Sequence, residues 1–310
     1  MLLVKTHGSL NEIFAADATP ASFGSDAALR SFVRSVCDRE SWTGGSDGIY
    51  FYDASFRDDS AARTRAWFFN PDGSSAEFCG NGMRGLGRLI LDMRDTDSEV
   101  IAIGSTSYTI RRAPSTPEGV RRVILDHPRL EFPDGALPPE FAGFTAVSVP
   151  NPHVISIVPD YSEPDLIEAG QRADKAFAEG ANVSFLCRLG ADDDVFVRTF
   201  ERGAGLTPSC GSGMVASRAA YSKVTGLDLE TPVTVRNAGG VATVSMRVLD
   251  GAWYPVLEGN ATVIYRAEAG LAGEQLAPID WATEENAAYT SLDDRNTKYL
   301  KSSGITTSHP

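Results

Sequence analysis

Two cysteines stand in nearly the same five-residue setting. Cys79-Gly80-Asn81-Gly82-Met83 and Cys210-Gly211-Ser212-Gly213-Met214 lie 131 residues apart, each ahead of a stretch with helical patterning. A helix start exposes backbone N–H groups that have no intrahelical acceptor, and it carries the positive end of the helix dipole. Glycines there let a ligand approach the backbone closely, so the place suits a carboxylate. The same field lowers the pKa of a thiol and makes it a better base. One copy is compatible with a structural turn, or with an anion site beside an incidental cysteine. Two copies suit a more specific chemistry. Inverting a carbon centre takes a base on one face and an acid on the other, and two halves facing each other across a cleft supply one group per face. The two helix starts would also hold an α-carboxylate and the negative charge that develops as the α-proton leaves.

The elements that must position these groups are mostly short strands. Segments 48–53, 65–69, 120–126, 147–158 and 195–200 read as strands. Segments 233–236 and 241–248 flank Asn237-Ala238-Gly239-Gly240, a hairpin signal. Helices are expected over 27–38 and 165–179, and after each cysteine string. Met83, Leu86, Leu89, Ile90 and Met93 share one helix face, whereas Met214, Val215, Ala219 and Tyr221 make a weaker face. A string duplicated at about half the chain length predicts two related α/β halves. The first half covers 1–115, carries Cys79 and is completed by a strand near 260–268. The second covers 116–260 and carries Cys210. Residues 113–119 read as the linker between them. Residues 270–310 form a polar tail, partly helical or disordered, with no role in the chemistry.

Composition narrows the partners. The 310 residues carry 28 basic and 41 acidic side chains, a net charge of −13. That argues against nucleic acid, whose affinity rests on clustered Lys and Arg. It leaves room for an anionic small molecule, because one local Arg outweighs a distant field. Lys5, His7 and Glu12 break any apolar core of a secretory signal, and no run approaches the roughly 18 apolar residues of a membrane span. Cys37, Cys79, Cys187 and Cys210 form neither a CxxC pair nor a zinc spacing. A cytoplasmic protein with reduced thiols is expected, with Cys37 and Cys187 as small core residues.

Beyond the cysteine strings, the islands His7-Gly8-Ser9-Leu10-Asn11, Cys37-Asp38-Arg39, Ser46-Asp47-Gly48, Asn70-Pro71-Asp72-Gly73-Ser74, Asn151-Pro152-His153, Asn182-Val183 and Glu201-Arg202-Gly203 occur in order between about residues 5 and 267. With both strings in their places, this pattern resembles the diaminopimelate epimerase family. The resemblance implies two pseudo-symmetric halves, each wrapping strands around a central helix, with the active cleft between them. It implies interconversion of LL- and meso-diaminopimelate, a step of lysine and peptidoglycan-precursor biosynthesis, without pyridoxal phosphate, other cofactor or metal. It also implies a homodimer. Carried over by position, Cys79 and Cys210 are the two bases. Asn11, Asn70, Asn151, Asn182 and Arg202 bind substrate, with backbone amides at Gly80, Asn81, Gly211 and Ser212 around the reacting end. Glu201 and His153 position substrate and tune the thiols. The chain departs from the family at Leu206, where Glu is usual, at Ser212 for Thr, at Met83 for a small residue, and at Gly48 for a Gln of some members.

The residue types agree with those roles. Glu201 and Arg202 are adjacent, and neighbours on a strand point to opposite faces, so they are poorly placed to pair with each other. Arg202 offers a bidentate fork to a carboxylate and Glu201 an acceptor to an ammonium. Asparagines supply both donors and acceptors for a substrate with two amino-acid ends. Two other readings stay open: a racemase of another amino acid or a proton-shifting isomerase on the same fold, and a thiol redox switch that pairs Cys79 with Cys210.

Overall fold

The computed structural model describes residues 1–56, 62–190 and 194–308. Two compact units emerge, Met1–Leu125 with Gly259–Leu292, and Asp126–Glu258 with Asp293–Pro310.

In the first unit, strand Leu2–Gly8 pairs antiparallel with Asn11–Asp17. The turn between them places Ser9 and Leu10 at φ 55° and 63°. Such positive φ values strain residues other than glycine, and the Ser9 amide is fixed by a 2.7 Å hydrogen bond to Asn260 Oδ1. Helix α1 (Asp26–Cys37) then crosses over to Ile49–Asp53, which runs parallel to Asn11–Asp17. Strand Thr64–Phe69 joins antiparallel, followed by helix α2 (Gly80–Arg94). After α2, Ser98–Ile103 runs parallel to Thr64–Phe69 and pairs antiparallel with Thr106–Ala113. The late strand Thr262–Glu268 closes the unit against Leu2–Gly8.

The second unit repeats this order of pairings. Thr145–Val149 is antiparallel to Asn151–Val158, and helix α3 (Glu163–Ala176) crosses to the parallel Asn182–Arg188. Val195–Glu201 follows antiparallel, then helix α4 (Gly211–Thr225). Val233–Asn237 runs parallel to Val195–Glu201 and forms a hairpin with Gly240–Leu249. The expected segment 147–158 is two strands, because Pro150 lacks a donor for the ladder and the chain reverses there.

Each repeat wraps its strands around one buried helix. Met83, Leu86, Ile90 and Leu91 of α2 sit in an apolar cluster with Ile13, Tyr50, Phe68, Ile101 and Ile110. Helix α4 is buried on every side, from Gly211 through Ser222 apart from Ser212. A helix buried all round has no solvent face to set off an apolar one, which accounts for its weak pattern in the sequence. Cys37 and Cys187 are core residues, each 4% exposed.

The stretch after Gly270 contains helix α5 (Thr283–Ser302). Glu285 receives both arms of Arg88 at 2.5 and 2.7 Å. Further along, Asn296 donates to the carbonyl of Asn237 at 3.0 Å, and Leu300 packs with Cys187, Leu189 and Phe196. No helix among the described residues is long and apolar enough to cross a membrane.

Candidate active site

Both catalytic candidates are helix N-caps with extended backbone. Cys79 caps α2 at φ −132°, ψ 106°, and Cys210 caps α4 at φ −115°, ψ 113°. All four cysteines are thiols. The glycine two residues into each helix serves packing. A Cβ on Gly82 would lie 2.8 Å from Ile13 Cγ2, and one on Gly213 would collide with Thr199 Oγ1. At Gly82 and Gly213 the missing side chain lets the helix start press onto its strands.

The internal repeat explains where the asparagines come from. Asn11 and Asn151 are the first residues of corresponding strands. Asn182 opens the next strand of the second unit, where the first unit has Gly48 before Ile49. Gly48 has φ 152°, and a Cβ there would lie 2.6 Å from Phe68. The first unit therefore presents no amide side chain at that point.

In the first unit, the Cys79 thiol donates to Asn11 Oδ1 at 3.5 Å. The Asn11 amide is held in turn by Asp47 Oδ2 at 3.0 Å, and Asp47 by Arg39 at 2.6 Å. The buried Tyr50 hydroxyl accepts from the Cys79 amide at 2.9 Å and lies 3.1 Å from its carbonyl, which clamps the N-cap. Asn81 is buried in the first helical turn, its Oδ1 bonded to Arg84 at 2.9 Å. Asn70 is tied into its own turn, donating to Ser74 Oγ at 3.0 Å, and makes no bond to Cys79. Gly80 stands with Asn81 in the first turn, where helix geometry leaves the amides without intrahelical acceptors.

In the second unit, Cys210 Sγ accepts the Gly213 amide at 3.3 Å and lies 3.5 Å from Ser212 Oγ. Gly211 and Ser212 carry the first-turn amides. The thiol is 6% exposed, and the Glu201 carboxylate lies beside it. Burial foremost, then the negative charge of Glu201, pushes the thiol well above its ordinary pKa, while the Ser212 and Gly213 bonds pull the other way and lose. The lowering expected from the helix start is thus reversed at Cys210, which is a protonated thiol at neutral pH. Glu201 is itself held by the Thr207 hydroxyl.

His153, Asn151 and Asn182 form a second group there. His153 Nε2 is 3.3 Å from Asn151 Oδ1 and 3.4 Å from Asn182 Nδ2. Burial drives the imidazole down to about 3, so it is neutral, and its Nδ1 is buried with no partner. Asn182 Oδ1 also accepts the Arg202 amide at 2.9 Å. The Arg202 side chain is exposed and rests on the Glu179 carbonyl, against Gly180. Glu201 and Arg202 thus leave the strand on opposite sides.

Asp47, Tyr50 and Thr207 complete these groups without having been assigned a role from the sequence. Asp47 lay inside the Ser46-Asp47-Gly48 island. Tyr50 carried no signal beyond strand patterning. Among the described residues no three His, Cys, Asp or Glu gather as a metal cage.

A sequence model of the diaminopimelate epimerase family matches residues 145–264. A diaminopimelate epimerase of Clostridium acetobutylicum is 32% identical over 85% of this chain and 84% of its own length. Among solved structures, a Bacillus anthracis phenazine biosynthesis protein of the PhzF family aligns with a TM-score of 0.65 at 17% identity, covering 86% of this chain and 97% of that one. A probable proline racemase from Agrobacterium radiobacter K84 gives 0.63 at 12% identity, covering 89% and 96%. The last two likenesses concern the fold, which enzymes acting on different substrates share. The sequence identity maintained over most of both chains is what decides the family: this chain is an isomerase belonging to the diaminopimelate epimerase family.

Proposed function

We propose that the protein epimerises LL- and meso-diaminopimelate by two-base proton transfer at the α-carbon, with Cys79 and Cys210 as the acid–base pair. The observation that carries this reading is the matched placement of the two thiols. Each is the N-cap of the buried helix of its repeat, next to amides suited to a carboxylate and to the developing negative charge. Asn11, Asn70, Asn151, Asn182 and Arg202, with the amides of Gly80, Asn81, Gly211 and Ser212, bind the two amino-acid ends. Glu201 and His153 tune and position. Activity in a homodimer belongs to the same reading.

The test is α-proton exchange in D2O over a panel of diaminopimelate, lysine, proline, histidine and glutamate. Exchange with inversion is expected on diaminopimelate, and at least about a hundredfold slower on lysine, which lacks the carboxylate that Arg202 would grip. Faster exchange on another member of the panel would reassign the substrate within the same chemistry. No exchange on any of them would leave the thiol redox reading in its place.

A further inference from the structure

The turn that delivers Asn11 is held in a conformation its own residues resist. Gly8 and Asn11 pair across the first hairpin, so the loop between the strands is Ser9-Leu10 alone. Both residues stand at positive φ, 55° and 63°. A two-residue hairpin loop with positive φ at both positions favours Asn-Gly, because each residue sits where a Cβ is crowded by the following carbonyl. A bulky side chain such as that of Leu10 is poorly suited to the place. Such a conformation persists where the surroundings fix it.

At Ser9, Asn260 Oδ1 accepts the amide at 2.7 Å and Arg84 donates to Oγ at 3.3 Å. At Leu10, His7 Nδ1 accepts the amide at 3.2 Å, and burial keeps that ring neutral, with Nδ1 open as an acceptor. The Leu10 side chain packs against the buried cluster of Val120, Tyr289 and Leu292, two of which belong to α5. Tyr289 also meets the His7 ring edge-on, with centroids 4.2 Å apart. The start of α5 is anchored elsewhere. Glu285 takes both arms of Arg88 on α2 and the Val263 amide at 3.0 Å, and Asn286 donates to the Ile264 carbonyl at 2.9 Å. One anchored helix thus bears on both the ring and the side chain that hold Leu10. Directly after the turn, Asn11 Oδ1 accepts the Cys79 thiol at 3.5 Å.

We propose that Tyr289 of α5 is a positioning residue: through His7 and Leu10 it holds the Ser9-Leu10 turn at positive φ and so sets Asn11 beside Cys79. The proposal rests on the reading of Asn11 as a substrate ligand, and it gives the stretch after Gly270 a part in the reaction.

The test compares the wild type with Tyr289→Ala, Leu10→Gly and the double variant. Amide deuterium uptake by the peptide that spans the turn reads the turn directly, and α-proton exchange on diaminopimelate reads its consequence. Tyr289→Ala is expected to raise uptake at residues 8–11. It should also raise KM roughly tenfold with a much smaller change in kcat, as loss of a ground-state contact does. Tyr289→Leu keeps apolar bulk but loses the flat ring, and it carries the same expectation where the alanine variant does not fold. Glycine adopts the φ of 63° without help. In the Leu10→Gly background the same Tyr289 substitution should therefore change KM by less than about threefold. A Tyr289 that only stabilises the fold would act equally in both backgrounds, so an equal effect on KM overturns the proposal. So does a folded Tyr289 variant with unchanged uptake at the turn or an unchanged KM. A wild type that exchanges no substrate would sink the functional reading alone, and uptake at the turn would still decide whether Tyr289 holds it.

Discussion

At Cys210, burial and the Glu201 carboxylate act in one direction, and both hold the proton on sulfur. Removing the carboxylate charge removes one of the two. Glu201→Gln is therefore expected to move the pH profile of Cys210 labelling to lower pH, and an unmoved or raised profile would contradict the assignment. The two thiols also carry the plainest expectation for turnover. Cys79→Ala and Cys210→Ala should each lower epimerisation by at least about 10²-fold, the usual worth of a general acid or base, in a steady-state assay on diaminopimelate. More than about a tenth of wild-type turnover in either variant would exclude a two-base mechanism. The candidates themselves were legible because Cys-Gly-x-Gly-Met recurs. The direction of the Cys210 shift was not, because the string shows the helix start but not the depth of burial, nor a carboxylate brought in from the end of another strand.

Among the elements, α2 could be read from its apolar face and α4 only from its position after the motif. The reason is physical: α4 is covered by strands on every side, so polarity along it carries little period. The split at Pro150 was missed because Val147 to Val158 is apolar on both sides of the proline, and periodicity alone does not show where a ladder reverses. The packing role of the motif glycines makes a contrast between two helix starts. Ser25 caps α1, accepting from the Ala28 amide at 3.2 Å. Ser25→Ala should cost about 1 kcal/mol of stability and leave kcat/KM unchanged, because α1 carries no site residue. Gly213→Ala drives a methyl into Thr199 and against Cys210 Cβ at 3.2 Å. It should cost about 1–3 kcal/mol by overpacking and also shift the N-cap thiol. Urea unfolding with parallel assays separates the two. A Gly213→Ala enzyme with wild-type kcat would show that the start of α4 tolerates displacement.

For the molecule as a whole, the two repeats share one order of strand pairings, and the duplicated string was enough to foresee two related α/β halves. The composition of the residues after Gly270 could not show that α5 would contribute Glu285 to Arg88 and Leu300 to an apolar cluster, since both depend on tertiary partners. Burial also keeps two imidazoles neutral, His7 in the first unit and His153 in the second. Their folded-state pKa values fall to about 4 and about 3, both through burial first, against about 6.5 in an unfolded chain. The unfolded chain therefore binds more protons than the folded one below about pH 6.5. Stability from this source is fully present above that pH and is lost progressively as the pH falls toward the folded values. The slope approaches about 1.4 kcal/mol per pH unit for each histidine once the unfolded group is charged. Cys210 works at the other end. Its raised pKa makes the folded state hold a proton that the unfolded thiol releases, so stability falls as pH rises past the ordinary thiol range near 8.5. Urea unfolding is thus expected to show a stability maximum between about pH 6.5 and 8.5. His153→Gln should make the acid limb shallower, and Cys210→Ala should flatten the alkaline one. An acid limb of unchanged slope in folded His153→Gln would mean that this ring is not the buried neutral group described here.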